Sequence, residues 1–297
     1  MPLDWALAIG RAIGWFWFYV IPIRRGVALE NVRRALGEEL SLKERRRIVR
    51  RSLQNLAMVF IEALRMPEMI RAILCERVRL ENFDAAQAAA KRGKGVIFAA
   101  SHMGNFEIMM ATQGLVGGGL YGVLKGIKSR SVNDFIFRYR ERCGVHAVPP
   151  KGSKDQIRAL LRAGKFVSFA IDQHMAQHRA VVCEFFGQLA ATTPAPARFA
   201  FETGAALFPA VIFRDPNRLG RHVVRIEPEL VLETPYPSLK ENIWHNTERL
   251  NRIVEGWVRE APEQYFWLHK RWKVHDRPDG WEIPPQLAHL RQTAPRH

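Results

Sequence analysis

The sequence predicts an α/β fold, a single mixed sheet flanked by helices, preceded by an N-terminal helical region that associates with a membrane. Three observations predict it. From about residue 76 onward, apolar runs of strand length alternate with helix-length segments, the pattern of a sheet covered on its faces. Gly93 and Gly164 sit just past the ends of two of those segments, where a left-handed cap residue is wanted. Before them, residues 5–23 form an aromatic-rich apolar stretch whose one charge is Arg11.

In chain order, that first stretch contains Trp15-Phe-Trp-Phe-Tyr19 and lacks the basic n-region and small-residue cleavage site of a secretory signal. Its length is borderline for a span, which needs about 20 apolar residues. Arg11 at mid-span is costly, whereas Trp and Tyr favour the membrane interface. A core helix of a soluble domain is the plain alternative. The composition favours an anchor, peripheral or single-pass; if it spans, Arg24-Arg25 favour leaving the bulk of the protein in the cytoplasm. A short helix follows at 26–36. A longer one starts at Ser41-Leu-Lys-Glu44, a capping box, carries Leu53, Leu56, Val59, Phe60 and Ala63 at helical spacing, and is expected to stop before Pro67. Residues 24–51 hold ten Lys/Arg against four Glu. A solvated face explains such a run by default, but beside an aromatic anchor attraction to anionic headgroups is favoured.

Strands are expected near 77–80, 95–100, 120–124, 145–148, 166–171, 207–213 and 222–226. Helices are expected near 83–92, 105–113, 131–142, 153–163, 193–203 and 238–260, with Thr192-Thr193-Pro194 supplying a cap hydroxyl and a first-turn proline. The chain divides as 1–66 (anchor and basic helices), 67–280 (α/β domain) and 281–297 (loose tail). Its 297 residues carry 45 Lys+Arg against 29 Asp+Glu, a net charge of +16. Such a balance calls for an anionic partner: nucleic acid, anionic lipid or an acidic protein. Cys75, Cys143 and Cys183 lie too far apart in sequence for a CxxC pair, so neither a zinc site nor a disulfide framework is expected and a reducing, cytosolic setting fits.

The candidate chemistry lies in Ser101-His-Met-Gly-Asn-Phe-Glu107, where an apolar run ends at a histidine and a carboxylate opens the next helix. A turn at Gly104 lets His102 face Glu107, with the imidazole as general base and the carboxylate fixing its tautomer. The spacing alone fits equally a structural histidine beside a helix-start glutamate. No nucleophile elbow, phosphate loop or H-E-x-x-H zinc motif is present. Gly117-Gly-Gly119-Leu-Tyr-Gly122 matches a dinucleotide fingerprint but follows a helix and opens a strand, the reverse of the required context. His174 and His178 are four apart and lack a third ligand, so no metal is expected. Without an enzyme nucleophile, the attacking hydroxyl is sought on the substrate, and backbone N–H groups at Gly104 and Asn105, or a nearby Arg, become candidate oxyanion donors.

The block Ser101–Glu107 resembles the H-x-G-N-[WF]-E motif of the bacterial lipid A biosynthesis acyltransferases, a branch of the glycerolipid acyltransferases that carry H-x4-D/E. Further blocks agree in order. Asn133 with Arg138, Arg140, Arg142 and Gly144 resembles the family's N…R…G segment, and Asp172-Gln173 ends a strand. Phe185-Phe-Gly187, Ala190–Thr193, Gly204 with Pro209, and Pro262–Lys273 then follow. The similarity spans roughly residues 5 to 275. It implies transfer of a fatty acyl chain from an acyl carrier protein thioester to a hydroxyl of a lipid A precursor, at the cytoplasmic face of the bacterial inner membrane. His102 would be the base and Glu107 its partner. Gly104, Asn105, Lys125, Arg140, Arg142 and Asp172 would bind substrate, without cofactor, metal or nucleic acid. The same chemistry on another acceptor, a lysophospholipid, glycolipid or amine lipid, is the alternative. Leu124-Lys125 departs from the family, where many members place Arg, and a point-charge Lys gives up the bidentate phosphate grip. Asp172 would line the site or cap the loop after its strand. Tyr265–Lys273, which interleaves aromatics with cations, is expected to close the edge of the active site rather than stack on single-stranded nucleic acid.

Overall fold

The computed structural model describes every residue except 22, 38–39, 73–75, 127–128 and 293–297, and the side chains of 67–69, 71–72 and 292 as well are left undescribed. Cys75 lies outside the described residues; Cys143 and Cys183 are buried free thiols.

The expected alternation is present. In the main sheet, β1 (Val78–Glu81), β9 (His222–Ile226), β8 (Ala206–Arg214), β2 (Val96–Ala100), β5 (Phe166–Ala170), β3 (Leu120–Val123) and β4 (Val145–Val148) lie in that order across seven strands. All neighbours are parallel except β8 and β9, so the sheet is mixed. Central β2 is buried at every position because helices cover both faces, which is why it reads as an unbroken apolar run rather than an alternating one. The intervening helices are α4 (Phe83–Ala90), α5 (Phe106–Gly117), α6 (Arg130–Arg142), α7 (Lys154–Arg162), α8 (Ala195–Thr203) and α9 (Leu239–Glu260).

One pair of strands was not expected. The β6 (Val181–Phe185) and β7 (Gln188–Thr192) hairpin forms a small second sheet. Its two-residue turn places Phe186 and Gly187 both at positive φ, 52° and 69°. That backbone favours Asn-Gly or Asp-Gly, and Phe-Gly hides the hairpin signal.

The N-terminal helices are α1 (Leu3–Tyr19), α2 (Arg25–Leu36) and α3 (Leu42–Ala72). The capping box forms as expected: Ser41 N–H donates to the Glu44 carboxylate at 2.8 Å, and Glu44 N–H donates back to Ser41 Oγ at 3.3 Å. Two expectations about α3 are corrected. The helix continues through Pro67 to Ala72, and Phe60 points outward, 56% exposed, while Leu53, Leu56, Val59 and Ala63 are buried. A proline costs one main-chain bond, and the single run of 31 residues carries on past it. Helix α1 lies on α3 through Gly10 and Gly14. A Cβ on Gly14 would stand 2.3 Å from Gln54 Cα, so only glycine admits this crossing. The buried face of α1 is Leu3, Leu7 and Phe18; the opposite face leaves Trp5, Ile9, Ile13 and Phe16 exposed. Among the described residues no helix is long and apolar enough to cross a membrane. The core runs without interruption from Phe18, Val32 and Leu53 of these helices to Ile97 and Val167 of the sheet.

Candidate active site

The site lies over the carboxyl ends of the central strands, where open α/β sheets bind their ligands. Strands β2 and β5 pair in parallel with Ala100 opposite Ala170, and Ile171 N–H donates to Ala100 O at 2.9 Å. The same register, carried two residues on, sets His102 level with Asp172. The Asp172 carboxylate accepts from both His102 groups: the backbone N–H to Oδ2 and the ring nitrogen Nδ1 to Oδ1, each at 2.7 Å. Tyr265 Oη donates to Asp172 O at 3.2 Å, and Phe266 N–H donates to His102 O at 3.1 Å, so the strip after α9 clamps both loops. Phe106 stands edge-on to the imidazole, 5.1 Å between centroids.

Burial opposes a charged His102, but the Asp172 carboxylate outweighs it, with Glu107 adding at longer range, and the imidazole is held above its ordinary 6.5. Burial would likewise raise Asp172; the His102 charge and its two N–H donors hold the carboxyl below 3.8. An ionised Asp172 on Nδ1 fixes the proton there and leaves Nε2 with the lone pair. Nε2 is thus the basic atom.

Glu107 does a different job from the one expected. Its carboxylate accepts from Tyr139 Oη and, in bidentate fashion, from Arg140 Nε (3.1 Å) and Nη2 (2.6 Å). Burial and then the Glu107 charge push Tyr139 above its ordinary 10, so it stays a neutral donor. The expected His102–Glu107 pairing is therefore replaced by His102–Asp172. The reason is geometric: Glu107 opens α5 and turns toward α6, whereas Asp172 comes off the neighbouring strand.

A pocket of about 700 Å³ opens over these residues. His102, Glu107, Arg140 and Lys125 line it together with apolar Phe106, Met109, Met110 and Leu124. Asn105 and Gly104 are structural. Asn105 is fully buried; its Oδ1 caps α5 by accepting from Ile108 N–H, and its Nδ2 donates to Glu62 at 2.7 Å. Gly104 holds φ +49°, and a Cβ there would meet Ile212 O at 2.4 Å. Its N–H donates to Gln264 O at 3.0 Å, which removes it as an oxyanion donor. Arg142 is exposed on α6 and does not line the pocket, and Lys125 stands exposed at the rim. Gly117–Gly119 lie at the end of α5 remote from His102 and do not line this pocket.

His174 and His178 lie in the loop after β5 rather than on one helix face, and no metal-binding cluster occurs among the described residues. His269 is pushed down to about 4, mainly by burial with Arg271 adding against Asp172, and His174 falls to about 4 for similar reasons. Trp267, Trp272 and Arg271 are buried, so the aromatic strip is an inner wall and cannot stack on exposed bases.

The chain matches the family described as bacterial lipid A biosynthesis acyltransferase over residues 1–274. The chain belongs to that family. It is therefore an acyltransferase. Similar proteins include the lipid A biosynthesis lauroyltransferase of Escherichia coli (strain K12), 28% identical across 82% of this chain and 76% of that protein. The lipid A biosynthesis palmitoleoyltransferase of the same strain is 24% identical across 94% and 88%. The phosphatidylinositol mannoside acyltransferase of Mycolicibacterium smegmatis (strain ATCC 700084 / mc(2)155) is 29% identical across 62% and 60%.

Sequence reasoning missed Tyr139, and it missed three residues of α3 that hold this candidate site from behind. Ser52 Oγ donates to Tyr265 O (2.7 Å) and Asn55 Nδ2 to Gly104 O (3.1 Å). Glu62 binds Asn105 and, bidentately, Arg214 (2.9 and 2.7 Å). Ser, Asn and Glu among apolar positions on the inner face of a long helix were the signal.

Proposed function

We propose that this acyltransferase moves a fatty acyl chain from an acyl carrier protein thioester to a hydroxyl of a lipid A precursor, with His102 as general base. The observation that carries the reading is the His102–Asp172 pair beneath a pocket with apolar walls and a cationic rim. His102 Nε2 takes the proton of the acceptor hydroxyl as its oxygen attacks the thioester carbonyl. The C–O bond forms, the C–S bond breaks, and the thiolate leaves with the proton that His102 held. Asp172 stabilises the transient imidazolium. Negative charge develops in an enclosure lined by Lys125, Arg140, Arg179 and Lys273, which favours the oxyanion.

The net charge of +16 supports both an acidic carrier protein and an anionic acceptor. The exposed faces of α1 and α3, Trp5, Ile9, Ile13 and Phe16 with Phe60 and Leu64, support peripheral docking on the cytoplasmic leaflet of the inner membrane. A second acceptor is favoured by a specific observation. The phosphatidylinositol mannoside acyltransferase shares a similar identity over a shorter stretch, 29% across 62% of this chain against 28% across 82% for the lauroyltransferase, which supports a glycolipid hydroxyl as the alternative.

The test supplies acyl carrier protein thioester with a lipid A precursor and, separately, with a phosphatidylinositol mannoside. Wild-type product on the first acceptor supports the main reading, and product on the second alone selects the alternative. His102→Ala should lose about 10²–10⁴-fold in kcat; near-native turnover by that variant would refute the base.

A further inference from the structure

A second cavity, also about 700 Å³, adjoins the catalytic pocket. The two share Val123, Pro150, Ala170, Met175 and Arg179, so they meet over the tips of β3 and β5. The annex is walled by the first turns of α7 and α8. Its floor is apolar, built from Ile157, Phe169 and Phe199, and its rim is cationic, with Lys151, Lys154, Arg179 and Arg198.

Among the described residues, three of these four cations lack a partner and the fourth is only partly satisfied. Among the described residues, the side chains of Lys151, Lys154 and Arg198 form no hydrogen bond or ion pair. Arg179 reaches only the Pro150 carbonyl through Nη1 at 3.3 Å, and its Nε is buried with no acceptor. The carboxylates close by are already engaged: Arg158 binds Glu202 at 2.8 Å and Asp155 at 2.7 Å. The amino end of α7 adds its own positive potential to the same rim. Like charges gathered around one cavity repel each other, and a buried donor without an acceptor is costly, so the arrangement is relieved by an anion entering it. An apolar floor under a cationic rim selects an amphipathic ligand. Arginine donors suit a phosphoryl group, which accepts several hydrogen bonds at once.

We propose that this annex binds a phosphate ester carried by one of the two substrates while its apolar portion lies on Ile157, Phe169 and Phe199. This rests on the acyl-transfer reading, which supplies two such sources: the phosphodiester of a carrier protein's pantetheine arm, or the phosphate of a sugar acceptor. Either would be held one chamber away from His102, with its reactive atom reaching over the shared wall.

The test is direct binding by calorimetry, with phosphopantetheine and a glucosamine phosphate as separate probes, to the wild type and to the Lys151→Gln/Arg198→Gln variant. At least one probe should bind the wild type, and its affinity should fall about tenfold or more in the variant with the melting temperature unchanged. The probe that loses affinity identifies the source. Lys151→Arg/Arg198→Lys should restore most of the loss. In turnover, the KM of that same substrate should rise about tenfold with kcat held. The proposal is overturned if neither probe binds, if the variant binds both as the wild type does, or if only kcat changes. Because calorimetry needs no turnover, an inactive wild type would count against the acyl-transfer reading without deciding the annex.

Discussion

Replacing Asp172 by Asn asks one side chain to make two incompatible bonds. In the wild type, separate carboxylate oxygens accept the backbone N–H and the ring Nδ1–H of His102, both at 2.7 Å. An amide has one acceptor. If its oxygen stays on the backbone N–H, its NH₂ faces Nδ1, the ring proton moves to Nε2, and the base loses its lone pair at the atom that faces the pocket. If the amide turns round, a buried backbone donor is left unpaired at a cost of about 1–3 kcal/mol. In either state the imidazolium formed during reaction loses a neighbouring charge worth about 4 kcal/mol at 4 Å and an effective dielectric constant of 20. A loss of about 3–5.5 kcal/mol in transition-state stabilisation corresponds to a fall in kcat/KM of about 10²–10⁴-fold. The sign of the pH effect follows from the same contact. Asp172 holds His102 above 6.5, the base works only when neutral, and so activity rises with pH through that raised value. Without the carboxylate, the acidic limb of the kcat/KM profile should move to lower pH while its plateau drops. Steady-state thioester assays across pH 5–9 measure both. Near-native kcat/KM in Asp172→Asn, or a limb that moves in Glu107→Gln but not in Asp172→Asn, would refute the assignment of Asp172 as partner.

Glu107→Gln should act on stability, because it leaves the buried Arg140 guanidinium half-paired. Breaking such a pair costs about 3–5 kcal/mol, read as a lower midpoint in urea. Gly104→Ala puts a Cβ against Ile212 O at φ +49° and should lower stability by more than about 1 kcal/mol, read as a lower melting temperature, with turnover falling alongside. Burial pushes Glu62 upward, but His222 and Arg214 hold its carboxyl well below the usual range. Its contribution to stability is therefore complete above the unfolded carboxylate's value and lost as pH falls below it, so Glu62→Gln should flatten the acid side of a stability–pH curve. Phe60→Glu with Ile13→Glu should weaken sedimentation with anionic lipid vesicles while the melting temperature holds, since both side chains are exposed; unchanged sedimentation would remove this face from the docking argument.

The fold was legible because its elements obey local rules. Strand β2 shows as an apolar run, α9 begins with Ser238 capping Glu241 N–H at 3.2 Å, and the helix ending at Thr203 stops at a left-handed Gly204. The candidate site was half legible. His102 lies at a strand end whose position the sequence marks, but its partner depends on which strand lies beside β2. That neighbour is β5, 66 residues after the end of β2 by the interval Ala100 to Phe166, and nothing local encodes the adjacency. Sequence spacing favours the nearest carboxylate, Glu107, whereas the parallel register delivers Asp172. The α6 pairing was hidden for the same reason, since Tyr139 and Arg140 reach Glu107 across 32 and 33 residues. Phe186-Gly187 was hidden by an uncommon residue in a positive-φ position.

Helix α3 explains why an ionic cluster sits where apolar side chains would pack as well. Buried ion pairs are weak evidence for stability, because desolvation offsets much of their attraction. What Glu62, Asn55 and Arg214 contribute is direction. Glu62 fixes Asn105, which caps α5; Asn55 fixes Gly104 O and is itself held by Arg214 Nε at 3.1 Å. An apolar set of equal volume would fill the space without choosing one position for the Gly104 turn, and His102 stands two residues before that turn. The same helix turns Phe60 and Leu64 outward, two residues before and two residues beyond Glu62, on the opposite side. A single helix therefore carries the proposed lipid-facing residues on one face and the supports of the Gly104 turn on the other. Its length of 31 residues, carried past Pro67, lets both faces extend far enough to do so.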